Sequence, residues 1–231
     1  MSDELIDGII EAFRLIFTFD EEIWDIIFLS IRVSATAVIL ATLIGLPLGS
    51  YLGLREFRGK KPLSNLLNTF MGFPPVVMGL IIFLMLSRSG PMGGLGILYT
   101  VIAMIIAQLF LAIPIVIGTS KAAIESVDPA LRETVLSLGG KERQLWWELI
   151  KESKKSIIAG ILIAFGQAIS EVGAVMIVGG NIRWHTRTFT TAIVLQTRMG
   201  EFGMAIALGM ILIIITFILN YTLTHLQSKK D

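Results

Sequence analysis

Chemistry needs nucleophiles, bases or metal ligands at workable spacing, and this 231-residue chain offers few. It has no cysteine, which excludes disulfides and thiolate metal sites. Its two histidines, His185 and His225, stand far apart. No H-E-x-x-H pattern or other metal-ligand spacing occurs, so the expectation is no catalytic residue and no metal. G-x-x-x-x-G-K-[ST] is also absent, so the chain cannot hold a nucleotide in the P-loop manner. One ionisable residue stands out. Glu171 is the sole charge in the apolar run from Ser156 to Gly180, where burial is costly enough to mark a functional position. It would repel an anion across a low-dielectric pore, so the reading is a neutralised or paired carboxylate that holds two helices or a gate together. Gln167 lies one turn earlier on the same face, with Ser170 and Gly173 close by.

These residues sit in a chain too apolar for a soluble domain. Hydrophobic residues make up 54% and charged residues 16%, against roughly 45–50% and 25% in soluble proteins. Five stretches reach the ~20 residues that cross a bilayer: Val33 to Leu54, Leu66 to Leu86, Leu95 to Gly118, Ser156 to Gly180 and Phe202 to Thr224. The fold class is therefore all-α, a polytopic bundle of five spans. The 19 Lys and Arg are unevenly spread: segments 55–65 and 119–155 and the tail hold four, seven and two of them. The opposite side receives Arg14, Arg32, Arg88, Arg183, Arg187 and Arg198, together with the acids Asp3, Glu4, Asp7, Glu11, Asp20, Glu21, Glu22 and Asp25. Basic loops stay in the cytoplasm, which predicts a multi-pass cell-membrane protein with its N-terminus outside and its C-terminus, including Lys229 and Lys230, inside. The near-neutral total charge of +1 argues against nucleic acid as a partner.

Residues 1–22 form an amphipathic segment, with Leu5, Ile6, Ile9, Ile10, Phe13, Ile16 and Phe17 at helical spacing. It either lies on the outer interface in membrane lipid or packs on the bundle as an extra helix. Residues 23–231 make the transmembrane domain. Pro47, Pro74, Pro75 and Pro114 each remove a backbone donor within a span, and the Pro74-Pro75 pair is the candidate for a bend beside a translocation path. Arg183, His185 and Arg187 could form a basic collar at the outer end, attracting an anion or lipid headgroups.

Loop 119–155 is too long for a plain connection and carries its own helices. Asp128-Pro129 starts one, with Leu131, Val135 and Leu138 as its apolar stripe. Gly139-Gly140 ends it, and a second helix resumes with Leu145, Trp146, Leu149 and Ile150 on one side. Glu133-Thr134-Val135, three residues and then Gly139 resemble the EAA-xxx-G loop of ABC importer permeases. The resemblance implies a coupling helix-turn-helix, Glu133, Thr134, Val135, Gly139 and Gly140, that docks on an ABC ATP-binding subunit. Phe73-Pro74-Pro75-Val76-Val77-Met78-Gly79-Leu80, Leu86-Ser87-Arg88-Ser89-Gly90-Pro91 and Ile169-Ser170-Glu171-Val172-Gly173-Ala174 resemble tungstate-importer permeases, related to those for molybdate. This implies a homodimer of permeases and an extracytoplasmic oxyanion-binding protein. It also implies no cofactor in this chain, with ATP and Mg on the partner ATPase. A membrane-embedded enzyme would need a second catalytic group beside Glu171, and no span holds a histidine. A gated channel would leave the hairpin unexplained.

Overall fold

The computed structural model describes residues 2–18 and 20–228, and their side chains except at 2–5, 7, 8, 11, 16, 223 and 226–228. The acids Asp3, Glu4, Asp7 and Glu11 and the tail residues Lys229 and Lys230 lie outside this description as side chains. Eleven α-helices and no strand occur among the described residues. In chain order they are α1 (Ser2–Phe17), α2 (Glu21–Leu54), α3 (Lys60–Met71), α4 (Pro75–Leu86), α5 (Val101–Glu125), α6 (Pro129–Ser137), α7 (Glu142–Glu152), α8 (Lys154–Ile169), α9 (Gly173–Gly179), α10 (Phe189–Met199) and α11 (Phe202–Ser228).

Three of these, α2, α5 and α11, are long and apolar enough to cross a membrane unaided. The other two apolar runs are bent pairs, α3 with α4 at 92° and α8 with α9 at 56°. The runs Leu66 to Leu86 and Ser156 to Gly180 are therefore broken rather than continuous. In the first, Pro74 and Pro75 lack amide donors, and Pro75 becomes the opening residue of α4 with Pro74 in an extended conformation before it. The second break contains no proline. There the Glu171 carboxylate Oε1 accepts the Ala174 N–H at 3.0 Å and starts a new helix. Pro47 and Pro114 leave α2 and α5 unbroken.

Other boundaries also moved. α2 begins at Glu21, well before Val33, because Asp20 Oδ1 accepts the N–H groups of Glu22 and Ile23 at 3.0 and 3.2 Å. α5 continues to Glu125 and α8 starts at Lys154, so the connection expected over 119–155 narrows to 126–153. Leu95 closes a single 3₁₀ turn instead of opening a span. α10 occupies a segment with no assigned helix in the sequence reading.

The bundle is organised by α2 against α5. Gly45, Gly49 and Gly53 recur every fourth residue and form one face of α2. A methyl group at Gly49 would stand 2.4 Å from the Ile117 carbonyl oxygen and 2.8 Å from Ser120 Cβ; at Gly45 it would stand 2.9 Å from Val116 Cβ. In hydrocarbon no hydrophobic effect drives helices together, so close backbone approach through small residues supplies the contact energy. On this pair rest two apolar clusters. One joins Val33 of α2 to Ile82 and Leu86 of α4, Met104 of α5 and Val175 of α9. The other joins Ile23 and Ile26 to Phe189 of α10 and Leu208 of α11.

Of the two placements weighed for the N-terminal segment, packing is what occurs: α1 lies against α11, with Ala12 fully buried. Ile6, Ile10, Phe13 and Phe17 stay exposed along one stripe, an apolar surface suited to lipid. Replacing Gly49 with Leu is expected to destabilise the bundle by about 1–3 kcal/mol through overpacking. The check is the fraction of monodisperse protein after heating in detergent, with Leu43→Ala on the exposed side of α2 as a neutral control.

Candidate functional site

Two places concentrate functional side chains: a helical hairpin at one end and a junction of broken helices inside the bundle. The hairpin forms as the sequence dictates. Asp128 Oδ1 accepts the Ala130 N–H at 2.9 Å, and Pro129 opens α6. Gly139 takes φ +77°, the left-handed conformation in which glycine avoids the Cβ penalty. The Gly140 N–H then bonds the Val135 carbonyl at 2.9 Å. α7 follows, its first turn closed by Gln144 Oε1 accepting the Lys141 N–H at 2.7 Å.

The hairpin is anchored by an apolar cluster of Leu145 and Leu149 with Leu54 of α2 and Ile124 of α5, flanked by Leu131, Val135 and Trp146. Arg55 also meets Glu142 at 2.9 Å, yet both side chains are half exposed. Such a surface pair contributes ~0–1 kcal/mol, whereas burying each leucine contributes ~1.5–3 kcal/mol, so apolar packing holds the hairpin. Lys60, better buried, ties α3 to the end of α5 just before the hairpin. Its ammonium sits 2.7 Å from Glu56 and 2.9 Å from Glu125, and Glu125 also meets Lys121 at 3.0 Å.

Glu133, Thr134 and Gly139 lie exposed on the outer side of the hairpin, while Val135 and Gly140 are half buried beneath. Leu138 does not share the apolar stripe of Leu131 and Val135. It lies past the end of α6 and is 82% exposed, with Leu136 exposed beside it. Periodicity carried on to Leu138 because the helix stop was read from Gly139, one residue later than α6 actually ends. The tip thus presents two leucines and a glutamate, a surface suited to a protein partner. Trp146 and Trp147 divide their roles: their rings stack at 6.0 Å, Trp146 packs inward and Trp147 is exposed.

Inside the bundle the two helix breaks lie side by side. A Cβ at Gly173 would be 2.4 Å from Val76, and one at Gly79 would be 2.6 Å from the Ala174 Cα, so α4 and α9 touch at backbone distance. Pro74, Pro75, Ser170, Glu171 and Gly173 are thereby gathered at one junction. Glu171 is buried, and its partner is the first turn of α9 rather than a basic side chain. That turn carries the positive end of the helix dipole, which favours a carboxylate. The Glu171 carbonyl oxygen accepts from Thr190 Oγ1 at 2.7 Å, tying the break to α10. Gln167 and Ser170 are exposed on α8.

Gln108 went unnoticed in the sequence. It is 3% exposed on α5, its Nε2 donates to the Ala168 carbonyl at 2.8 Å, and its Oε1 has no partner among the described residues. With Gln167 and Glu171 it lines a recess of about 10 Å³, room for roughly one water. A lone glutamine inside an uncharged span was the available signal.

At the other end Arg183, His185 and Arg187 do not form a free basic collar. Glu22 of α2 accepts from Arg183 at 2.6 Å and from Arg187 at 2.5 Å, which leaves one net positive charge on the trio of Glu22, Arg183 and Arg187. Glu22 had been counted among the outer acids, and only tertiary contact brings it across 161 positions.

Comparison with known proteins agrees with this architecture. Residues 45–231 match the family model for the binding-protein-dependent transport system inner membrane component. The tungstate uptake system permease protein TupB of Peptoclostridium acidaminophilum is 40% identical over 97% of this chain and 99% of its own length. Its counterpart in Campylobacter jejuni is 40% identical over 96% and 93%. The molybdenum transport system permease protein ModB of Escherichia coli K12 is 29% identical over 84% and 91%. Among solved structures, an inward-facing methionine transporter, MetNI, superposes with a TM-score of 0.72 at 15% identity, covering 94% of this chain and 99% of that one.

The Glu171 cap has a direct test. Glu171→Leu removes an acceptor worth about 1 kcal/mol and is expected to lower the apparent Tm in detergent by roughly 2–4 °C. Glu171→Gln keeps an acceptor oxygen and should leave Tm unchanged.

Proposed function

This chain belongs to the family of binding-protein-dependent transport system inner membrane components, and we propose that it is the membrane-spanning permease of an ATP-driven tungstate importer. The observation that carries the proposal is 40% identity to a tungstate uptake permease over essentially the full length of both chains. Two copies assemble around a path. An ABC ATP-binding subunit with its ATP and Mg docks on each hairpin, and a separate binding protein delivers the oxyanion. The chain itself is no enzyme: it supplies a route and a mechanical linkage, and hydrolysis belongs to the partner.

The mechanism follows from the anchoring of the hairpin. Glu133, Thr134, Leu136 and Leu138 offer the docking surface, and Gly139 sets the turn that presents it. Because Leu145 and Leu149 are buried against Leu54 and Ile124, displacement of the hairpin displaces the ends of α2 and α5 with it. Those helices carry the junction of the two breaks. Pro74, Pro75, Gln167, Ser170, Glu171 and Gly173 border the path there, and bent helices reorient at little cost where hydrogen bonds are already interrupted. Glu171 acts as the pin of α9 rather than as a ligand, since a carboxylate repels a dianion. The hairpin end, rich in Lys and Arg, faces the cytoplasm, and Glu22 with Arg183 and Arg187 faces outward.

Purification from native membrane is expected to retain an ATP-binding subunit, and proteoliposomes supplied with the binding protein should accumulate tungstate only with ATP. Uptake of molybdate but not tungstate would reassign the substrate, and loss of the ATP requirement would defeat the importer reading. Gly139→Val forces a β-branched residue into a left-handed conformation at a cost of ~1–2 kcal/mol. It is expected to abolish ATP-dependent uptake while membrane insertion, measured by yield, stays at the wild-type level.

A further inference from the structure

The inner half of the path has a donor surface that the junction of breaks does not include. Two contacts fix how α3 sits on α5. Lys60 meets Glu125 at 2.9 Å, and Met71 lies against Gly118, where a Cβ would stand 2.5 Å from the Met71 sulfur. Eleven residues separate Lys60 and Met71, so at about 100° per residue they lie within about 20° of each other and mark the side of α3 that faces α5.

The remaining side chains then fall on opposite flanks. Lys61, Ser64, Asn65 and Asn68 lie on one flank, about a quarter-turn from α5, with Thr69 at its far edge. Leu63, Leu66 and Phe70 lie a quarter-turn the other way. Both flanks are open in the single chain: Leu66 is 52% exposed, and Asn65 and Asn68 are exposed as well. The contacts run from the end of α5 at Glu125 to Gly118, seven residues or about 10 Å deeper. α3 therefore runs inward along α5 from the basic end of the bundle.

Hydrocarbon on both flanks would strand two amides at a cost of ~2–7 kcal/mol each. The leucine flank accepts lipid, whereas the amide flank requires polar surroundings, which a water-filled path between the two permease copies supplies. Ser64, Asn65 and Asn68 have no hydrogen-bond partner for their side chains among the described residues, whereas Thr69 Oγ1 already donates to the Asn65 carbonyl at 2.9 Å. The flank carries no carboxylate, and Lys61 at its membrane-surface end forms no ion pair among the described residues. With no carboxylate to attract a metal cation, the N–H and O–H donors and the single cation at the end suit a tetrahedral oxyanion. Neutral donors also hold a dianion weakly enough to release it.

We propose that Ser64, Asn65 and Asn68, with Lys61 at the exit, form the inner binding surface for the transported oxyanion. This rests on the importer reading above. In the assembled transporter the flank faces the water-filled path below Pro74-Pro75, and the anion passes along it after leaving the junction of the two breaks.

The chain has no native cysteine, so single-cysteine variants report directly. Asn65→Cys, Asn68→Cys and, on the opposite flank, Leu66→Cys are each assembled with the ATPase subunit in proteoliposomes and treated with an anionic methanethiosulfonate reagent. Tungstate at ten times its half-saturating concentration should slow labelling of the first two about tenfold, because only the unoccupied fraction reacts, and leave Leu66→Cys unaffected. Asn68→Asp, which places a carboxylate on the flank, should cut tungstate uptake at least tenfold with ATPase activity retained; Asn68→Ser should transport normally. Equal labelling with and without tungstate, equal protection at Leu66→Cys, or normal uptake by Asn68→Asp would each overturn the proposal. A wild-type complex that moves no oxyanion would instead overturn the importer reading on which it stands.

Discussion

Backbone contact between α2 and α5 is the constraint on which the other elements depend. In a soluble protein, burial of leucines would hold two such helices, but in a bilayer lipid competes equally for apolar side chains. What remains is dispersion at short range, which rises steeply as backbones approach. Gly45, Gly49 and Gly53 permit that approach along two full turns. The pair then supports α4 and α9 on one side, through Val33, Met104 and Val175, and α10 and α11 on the other, through Ile23, Ile26 and Phe189. It also delivers Leu54 and Ile124 side by side, and these receive the hairpin. A chain that could not bring α2 and α5 together would have nowhere to seat the hairpin.

Against that rigid pair stand two helices that are deliberately incomplete. A continuous helix in hydrocarbon satisfies its own amides and has no reason to bend, so a break has to be supplied with partners. Pro74 and Pro75 remove donors, whereas Glu171 supplies an acceptor; the two breaks reach the same result by opposite chemistry. Their adjacency, with Val76 against Gly173 and Gly79 against Ala174, joins the two interruptions into one junction. The carboxylate read from the sequence as a paired group holding helices together accepts the Ala174 N–H at the start of α9. Gln108 supports the same region from α5, since its amide nitrogen satisfies the carbonyl of Ala168 near the end of α8.

Charge is distributed with a similar economy. At one end Lys60, Glu56, Glu125 and Lys121 form a linked network that fastens α3 to α5 where the hairpin begins. At the other end Glu22 neutralises most of the basic charge of Arg183 and Arg187 and ties the start of α2 to the segment after α9. Each set joins elements distant in sequence, and each lies at a boundary where partly buried ions are screened less than at an open surface. The flank of α3 with Ser64, Asn65 and Asn68 differs from both, because these side chains have no partner among the described residues.

The sequence by itself determined the membrane class, the five apolar segments, the hairpin with its Asp128-Pro129 start and Gly139 turn, and the bend at Pro74-Pro75. These follow from local chemistry: hydrocarbon thickness sets the length of an apolar run, proline lacks a donor, and glycine alone adopts φ +77° without penalty. Only the tertiary structure decided the rest. The break at Glu171 has no proline to announce it and depends on a carboxylate turning back to Ala174. Leu138 is exposed because α6 ends before it, and Glu22 meets Arg187 across 165 positions because α2 and the segment after α9 share one end of the bundle. Periodicity reports which face of a helix is apolar, but not whether lipid, protein or water lies against it. On α3 the contacts of Lys60 and Met71 with α5 set the leucine and the asparagine flanks on opposite sides.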